Sequence, residues 1–212
     1  ILYYQLKALG AVDITDITLI VGYRKEQIIN YIAENFPNLS VRFIVNDEFE
    51  TTNDIVSFAL AEDFAGRDFI QIDSDVFFKP DIIKDLIAGS SGESITAIKK
   101  IPCGEEEMKV ILDEHGNVSR IGKKLDSKTC HGEFVGISFF SKDFSRRLYP
   151  VMNRIIKETG PHIYSGSAMD ELVKDGVTLL ALAIKPEHAI EIDFPEDIIK
   201  AEREVLKHVK IH

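Results

Sequence analysis

Apolar residues fall into two kinds of segment that alternate along the chain. Residues 17–22 (ITLIVG) form a short β-branched run typical of a buried strand, whereas residues 24–36 place apolar residues at the spacing of an amphipathic helix. In the first half of the chain the predicted strands are 17–22, 41–45 and 69–73, and the predicted helices are 2–10, 24–36, 54–64 and 80–89. We expect the first helix to end at Gly10, in the left-handed conformation that glycine adopts readily.

The second half of the chain begins with strand-like segments and then returns to helices. A hairpin is predicted over residues 107–124, around the turn DEHGN. The other predicted strands are 94–100, 134–141 and 177–184, and the predicted helices are 144–159, 167–176 and 195–209. Pro150 is expected to interrupt or kink the first of these helices, because proline lacks a backbone N–H.

This alternation of strands and helices predicts the fold class. Short links between strand and helix favour a parallel sheet with helices on both faces. We therefore expect one α/β domain over residues 1–212, of the Rossmann-like three-layer αβα kind. Its sheet is expected to be mixed but mostly parallel, with an inserted β-hairpin.

Composition narrows the class of protein. The chain has 212 residues, of which 45% are hydrophobic and 28% charged, as in a globular domain. Its net charge of −10 argues against nucleic acid as a partner, because phosphate backbones bind clustered Lys and Arg. No apolar run reaches the ~20 residues of a membrane-spanning helix. Cys103 and Cys130 form no C-x-x-C pair, so we expect reduced thiols and a cytoplasmic location.

Acidic residues stand at two places where ligands could bind. Asp73 and Asp75 follow the run FIQI, while Glu191 and Asp193 precede a helix that Pro195 opens. In open parallel sheets, ligands bind beyond the carboxyl ends of the strands. Mg²⁺ suits two such carboxylates, because it takes its remaining ligands from water and phosphate. Acids at strand ends are also commonly solvated, so spacing alone leaves a metal site and a solvated edge as equal alternatives.

Five segments occur together in an order that is known from one enzyme superfamily. They are 51–61 (TTNDIVSFALA), 72–83 (IDSDVFFKPDII), 108–125 (MKVILDEHGNVSRIGKKL), 132–141 (GEFVGISFFS) and 191–202 (EIDFPEDIIKAE). In these segments the chain resembles the nucleotidyltransferase superfamily, and within it the phosphocholine cytidylyltransferase-like group. The resemblance extends from the first helix to the last, and it implies the fold of the sugar nucleotidyltransferases.

The resemblance implies roles for the strand-end acids. Asp75 matches the aspartate that binds Mg²⁺ in this superfamily, and Asp193 matches the second metal-binding aspartate. Asp73 is expected to be either a neighbour of the metal ligands or a surface acid. In the family's reaction an acceptor phosphate oxygen attacks the α-phosphorus of a nucleoside triphosphate, and pyrophosphate leaves. Both reactants are anionic, so a metal and lysines lower the barrier by electrostatics and positioning.

The resemblance also implies residues that contact the two substrates. Those expected beside the nucleotide are Gly22, Tyr23, Asn53, Asp54 and Ser57. Those expected on the acceptor side are Glu133, Gly136 and a lysine that faces the phosphate, either Lys123 or Lys124, of which we assign the catalytic role to Lys123. Tyr164 and Asp170 would suit a cationic acceptor, which binds an aromatic face and an acid. The alternative is a tyrosine at a helix start followed by a surface acid.

The sequence departs from the family pattern in two places. Family members have an N-terminal strand and a Gly-rich loop that cradles the triphosphate, and this sequence begins after that element. We therefore expect the chain to lack one central strand and to be inactive alone. At Phe194 the family carries a threonine that caps the last helix. Phenylalanine cannot cap, so this helix requires another cap.

The predicted function is Mg²⁺-dependent nucleotidyl transfer from a nucleoside triphosphate, CTP, to a small phosphorylated or phosphonylated alcohol such as phosphocholine. One alternative is a sugar-1-phosphate or inositol-1-phosphate nucleotidyltransferase, which uses the same chemistry on a different acceptor. Another is a catalytically inactive nucleotide-binding domain, which the absent Gly-rich loop would explain. An aromatic and acidic acceptor pocket would favour choline, and hydrogen-bonding polar groups would favour a polyol.

Overall fold

Helices and strands alternate through most of the structure, a computed structural model that describes residues 1–105 and 107–204. The helices are α1 (Leu2–Gly10), α2 (Lys25–Asn35), α3 (Asp54–Ala59), α4 (Asp81–Gly89), α5 (Lys142–Thr159), α6 (Gly166–Lys174) and α7 (Pro195–Glu204). The strands are β1 (Asp16–Val21), β2 (Ser40–Val45), β3 (Phe69–Ile72), β4 (Val76–Phe78), β5 (Ser94–Lys99), β6 (Lys109–Leu112), β7 (Val118–Gly122), β8 (Gly132–Phe140), β9 (Leu179–Ile184) and β10 (Ala189–Glu191). The end of the helix predicted over 195–209 lies outside the described residues. None of the described helices is both long enough and apolar enough to cross a membrane.

Strand β8 organises the main sheet. It pairs antiparallel with β3 and β6 along one edge and with β5 along the other. Strand β9 adds to β5 in parallel, and the β6–β7 hairpin extends the opposite side. Because β3 and β5 are both antiparallel to β8, strands β3, β5 and β9 run in one direction. The predicted mixed sheet with an inserted hairpin is confirmed.

Alternate residues of β8 face two separate hydrophobic layers. Phe140 packs with Leu148 of α5 in one cluster, whereas Val135 and Ile137 pack with Ile83 of α4 in another. This alternation follows from the period of two along a strand. It gives the three-layer αβα arrangement that the sequence predicts.

Strands β1 and β2 form a parallel pair apart from the main sheet. In the described part of the chain, no ladder joins β1 to β3. A cavity of about 970 Å³ lies between these two strands and beneath α1, and we call it the slot. Its lining includes every residue of β1 and of β3. The absence of one central strand stays a prediction from the family resemblance.

Three local predictions are wrong. The interruption expected at Pro150 does not occur: helix α5 continues through that residue, which lies on the exposed face while Leu148 and its neighbours bury the opposite stripe. Gly10 is the last helical residue of α1 and does not have a positive φ; the left-handed residue is Asp13, with φ of 61°. Helix α3 is shorter than predicted, because a 3₁₀ turn at Glu62–Phe64 follows it.

The prediction of two reduced thiols is also wrong. Cys103 and Cys130 form a disulfide, with their Cα atoms 6.4 Å apart. The β6–β7 hairpin lies between them in the sequence and folds back on itself, which brings the two ends of this 27-residue separation together. Their wide spacing in the sequence gave no indication of this contact. The cytoplasmic location remains a prediction.

Reduction of the Cys103–Cys130 bond is expected to lower the free energy of unfolding by about 2–4 kcal/mol, because it releases a long closed loop in the unfolded chain. Urea unfolding with and without dithiothreitol measures this change. The double variant Cys103→Ser/Cys130→Ser is the control and should have the same midpoint in both conditions. A wild-type midpoint that does not move on reduction would contradict a stabilising disulfide.

Candidate active site at the carboxyl ends of the strands

A short antiparallel ladder brings two distant segments together. Strand β4 pairs with β10, and the last register pair joins Val76 to Glu191. Beyond that pair, the Ile192 amide donates to the Asp75 carbonyl oxygen at 3.0 Å. Asp75 immediately precedes β4, and Asp193 follows β10 by two residues. The ladder therefore places the two predicted metal ligands beside each other.

The electrostatics of this acidic pair suit a bound cation. Burial raises the pKa of Asp75, and the nearby carboxylates of Asp193 and Asp54 raise it further. A divalent cation between the acids would offset both effects. Among the described residues, no group of three or more His, Cys, Asp or Glu side chains has an arrangement that could hold a metal. Two carboxylates fit Mg²⁺, which typically completes its shell with water and phosphate oxygens.

Asp73, two residues before Asp75, is held through its backbone and by Gln71, whose Nε2 donates to Asp73 Oδ1 at 2.6 Å. Burial, with the Asp54 and Asp75 carboxylates, raises the pKa of Asp73 to about 8. Its amide donates to the Gly136 carbonyl at 2.8 Å, and Gln5 Nε2 donates to its own carbonyl at 2.8 Å. Gly136 has φ of +70°, and a Cβ there would lie 2.4 Å from Asp73 Oδ2. Gly136 is thus required by the close approach of Asp73.

Glu133, which is predicted to lie on the acceptor side, forms a buried ion pair with Lys99, a residue that the sequence did not single out. Lys99 Nζ lies 3.0 Å from Glu133 Oε2, and both side chains are almost fully buried. Burial is the main cause that raises the pKa of Glu191 to about 7. The Glu133 carboxylate also raises this pKa, whereas the Lys99 ammonium lowers it. Lys99 therefore neutralises part of the acidic cluster. The available signal was a lysine that ends the apolar run SITAIK at the carboxyl end of a strand.

The predicted nucleotide-side residues lie around the start of α3. Asn53 caps this helix, because its Oδ1 accepts from the Asp54 amide at 2.8 Å. Ser57 Oγ accepts from Asn46 Nδ2 at 3.0 Å, which ties α3 to the residue after β2. Nothing in the sequence indicates that Asn46 joins these elements, because it looks like an ordinary loop residue there. In the structure its side chain is buried, at 4% exposed.

Gly22 and Tyr23 follow the end of β1. A Cβ on Gly22 would lie 2.7 Å from the Phe49 side chain, so close packing against that ring requires glycine here. Tyr23 is 63% exposed, and its ring centroid lies 6.1 Å from that of Phe49. The exposed Tyr23 ring remains accessible to a ligand.

Asp54, at the start of α3, contacts the start of α6. Its carboxylate accepts hydrogen bonds from both the backbone amide and the hydroxyl of Ser165, at the start of α6. Burial raises the pKa of Asp54, although these hydrogen bonds oppose the shift. These bonds fix the backbone next to Tyr164.

Lys123 and Tyr164, both of which are predicted to contact the acceptor, lie against each other. Lys123 Nζ lies 4.4 Å from the centroid of the Tyr164 ring and 3.3 Å from its hydroxyl oxygen. The backbone of Lys123 is fixed by the buried Lys109, whose Nζ donates to the Lys123 carbonyl at 2.7 Å. Lys124 is exposed. The structure therefore orients Lys123, rather than its neighbour, toward Tyr164.

Asp170 has a different environment from the other predicted acceptor residues. It accepts from Arg120 Nε and from the Ile121 amide, each at 2.9 Å, and it lies 2.9 Å from Lys174 Nζ. Burial alone would raise the pKa of Asp170, but these three partners outweigh it and lower the pKa. The contacts fix α6 against β7, so the prediction of substrate binding by Asp170 gains no support from the geometry.

Asp197 forms the reciprocal half of a capping box at the start of α7, in which an acid in the first turn accepts from the backbone ahead of the helix. Asp197 Oδ2 accepts from the Asp193 amide at 3.2 Å and from the Phe194 amide at 2.9 Å. An acid in the first turn of α7 also suits the helix dipole. The same bonds fix the backbone of Asp193, so the cap positions one of the two candidate metal ligands.

The variant Asp197→Ala is expected to lower stability by about 1 kcal/mol, because two amides lose their acceptor. Displacement of Asp193 should also reduce nucleotidyl transfer by about tenfold or more. Urea unfolding and a turnover assay measure the two effects. Glu196→Ala, at the exposed neighbouring position, is the matched control; if it has the same effects, Asp197 has no special role.

Comparisons with known proteins identify the class. No protein-family model matches the chain. The 2-aminoethylphosphonate cytidylyltransferase of Lancefieldella rimae is 28% identical over 194 residues, which are 88% of this chain and 72% of the relative. The choline-phosphate cytidylyltransferase of Streptococcus pneumoniae is 27% identical over 213 residues, covering 97% and 84%. The CMP-5'-(3-aminopropyl)phosphonate synthase of Streptomyces rubellomurinus is 26% identical over 101 residues, 48% of this chain but 16% of that longer protein.

Solved structures show the same fold. The CTP:phosphocholine cytidylyltransferase of Streptococcus pneumoniae superposes with a TM-score of 0.75 at 21% identity, covering 95% of this chain and 83% of that one. The inositol-1-phosphate CTP transferase of T. maritima gives 0.74 at 20% identity, covering 98% and 83%. The chain shares its fold with nucleotidyltransferases and is similar to several of them in sequence. These relatives and structural neighbours include cytidylyltransferases and a phosphocholine enzyme, which confirms the family resemblance and the prediction of a nucleotidyltransferase.

Proposed function

We propose that the protein transfers a cytidylyl group from CTP to a small phosphorylated or phosphonylated alcohol and releases pyrophosphate. The observation that carries this proposal is the β4–β10 ladder, beyond which the Ile192 amide donates to the Asp75 carbonyl oxygen and so brings Asp193 next to Asp75. Relatives named for 2-aminoethylphosphonate and choline phosphate support an acceptor with a phosphate or phosphonate group.

The proposed reaction needs positioning and charge neutralisation but no protein nucleophile. An acceptor oxygen forms a bond to the α-phosphorus of CTP, and the bond from that phosphorus to the oxygen bridging to the β-phosphate breaks. Lys123 binds the acceptor's anionic group and holds it in line. Asp75 and Asp193 would hold Mg²⁺, which when bound neutralises charge on the phosphates.

The acceptor carries a positive charge in this proposal. The face of Tyr164 already contacts the Lys123 ammonium, so this ring is placed to bind a cation. When Lys123 turns to the acceptor phosphate, the ring face becomes available for the acceptor's own ammonium group. Phosphocholine and 2-aminoethylphosphonate both have this combination of an anionic and a cationic end.

Inositol-1-phosphate is the second candidate acceptor, because the inositol-1-phosphate CTP transferase of T. maritima has the same fold. The two candidates are separated by a substrate panel. The protein expressed from its complete gene is mixed with each nucleoside triphosphate and with phosphocholine, 2-aminoethylphosphonate, inositol-1-phosphate or a hexose-1-phosphate. We expect Mg²⁺-dependent pyrophosphate release with CTP and a cationic acceptor. No release with any pair would refute the proposal.

The variant Asp75→Asn should abolish turnover, by about a thousandfold or more, because one of the two candidate metal ligands is lost. Its thermal midpoint should stay at or above that of the wild type, since the change removes a charge that lies near the Asp193 and Asp54 carboxylates. Asp81→Asn, at an exposed position in the first turn of α4, is the control. Full turnover by Asp75→Asn would exclude it as a metal ligand.

Lys123 and Lys124 offer a matched pair for testing the acceptor lysine. Lys123→Met is expected to raise the KM for the acceptor and to lower kcat, each by about tenfold, because it removes the charge that holds the phosphate. Lys124→Met should leave both constants unchanged, since Lys124 is exposed. Steady-state kinetics at saturating CTP provide the comparison, and equal effects of the two variants would argue against the assignment.

A further inference from the structure

The turn that carries Asp75 is held at both ends by one side chain, that of Gln5 in α1. Its Nε2 donates to the Asp73 carbonyl at 2.8 Å and to the Val76 carbonyl at 2.9 Å. Asp73 and Val76 are the first and last residues of the turn, since the Val76 amide donates to the Asp73 carbonyl at 3.4 Å. A glutamine amide has two N–H donors, so Gln5 uses both of them to span the turn.

Gln5 is a polar residue in the interior of the protein. It is 8% exposed, and its neighbour Leu6 belongs to a hydrophobic cluster that fixes α1 against β1. A buried amide of this kind normally needs partners, and Gln5 finds them on a segment that is 68 residues away in the sequence. The packing of α1 therefore determines where the two ends of the turn are held.

The direction of the Asp75 carboxylate depends on the backbone of the turn. This carboxylate accepts a hydrogen bond from its own backbone amide. The carboxylates of Asp193 and Asp54 lie close enough to disfavour a second negative charge at Asp75. Repulsion of this kind pushes the acids apart when no cation is bound. A turn that is fixed at both ends resists this displacement.

Three separate segments contact this turn. The Gly136 carbonyl of β8 accepts from the Asp73 amide at 2.8 Å, and the Ile192 amide, after β10, donates to the Asp75 carbonyl at 3.0 Å. Those two contacts join backbone to backbone, whereas Gln5 acts through its side chain. A substitution at Gln5 can therefore remove one of the three contacts and leave both strand pairings in place.

A neutral donor suits this position. The Gln5 amide binds the two carbonyls without adding a charge beside the acids. A lysine could also donate to the carbonyls, but its ammonium would neutralise the carboxylates and repel a metal cation. Glutamine thus fixes the turn and leaves the acids available to bind a cation.

We propose that Gln5 is a positioning residue, which holds the Asp73–Val76 turn so that Asp75 keeps the place of a metal ligand beside Asp193. The inference rests on the proposed function, because that proposal assigns Asp75 to the metal. Residues that orient metal ligands typically contribute about 10–100-fold to metal affinity.

The test measures Mn²⁺ binding to the 212-residue chain by electron paramagnetic resonance, without substrates. Gln5→Met has a similar length but no donor, and it should weaken Mn²⁺ binding by about tenfold. Gln27→Met, at an exposed position of α2, is the matched control and should leave the affinity unchanged. Gln5→Asn keeps an amide that is one methylene shorter. It should weaken binding by a smaller factor, and it provides the test if Gln5→Met does not fold.

Two further variants separate positioning from a loss of stability. Gln5→Met should lower Tm by about 5 °C, because two carbonyls lose a donor. Ile155→Ala, in the hydrophobic cluster on the other face of the main sheet, should lower Tm at least as much without a change in Mn²⁺ affinity. In the Asp75→Asn background, Gln5→Met should weaken Mn²⁺ binding by less than about twofold, since it acts through Asp75. Its effect on Tm should persist there.

The outcomes distinguish this inference from the proposed function. Unchanged Mn²⁺ affinity in a folded Gln5 variant, an undiminished effect of Gln5→Met in the Asp75→Asn background, or an equal loss in Ile155→Ala would overturn the positioning role alone. No Mn²⁺ binding by the wild type, or unchanged binding by Asp75→Asn, would overturn the assignment of Asp75 to the metal and the role of Gln5 with it.

Discussion

The candidate site depends on the pairing of β4 with β10. These are two of the shortest strands in the described structure, and they join segments that are far apart in the sequence. Without this ladder, Asp75 and Asp193 would be attached to independent loops. With it, the backbone bond from Ile192 to Asp75 fixes the spacing of the two acids. The Asp197 cap then fixes the Asp193 side of the pair.

Several other features of the fold serve to keep acids close together. Gly136 leaves room for the Asp73 carboxylate, and Lys99 offsets part of the charge of Glu133 and Glu191. Burial of like charges is unfavourable, as the raised pKa of Asp73 indicates. Residues that oppose stability in this way are typical of functional sites. A cation with phosphate ligands would remove the conflict, and so the reaction that we propose and the electrostatics of the site agree.

The sequence predicts the long elements well and the short ones poorly. Apolar runs and helical spacing were sufficient for the layers, because their side chains face one core. The three-residue strands β4 and β10 carry too little pattern to be found, although they position the site. The disulfide was missed because pairing of Cys103 with Cys130 depends on how the hairpin folds back. The helix interruption predicted at Pro150 was wrong for a related reason, because the tertiary packing of α5 outweighs one missing hydrogen bond.

The site residues were predicted from the family resemblance. The spacing of the acids alone supported a metal site and a solvated strand edge equally.

The most direct test of a shared cation site is a double-mutant cycle on Mn²⁺ binding, measured by electron paramagnetic resonance, with Asp75→Asn and Asp193→Asn. We expect each single variant to weaken binding by about tenfold or more, and the double variant to bind little more weakly than either. Additive losses, or unchanged binding in both single variants, would contradict a shared site.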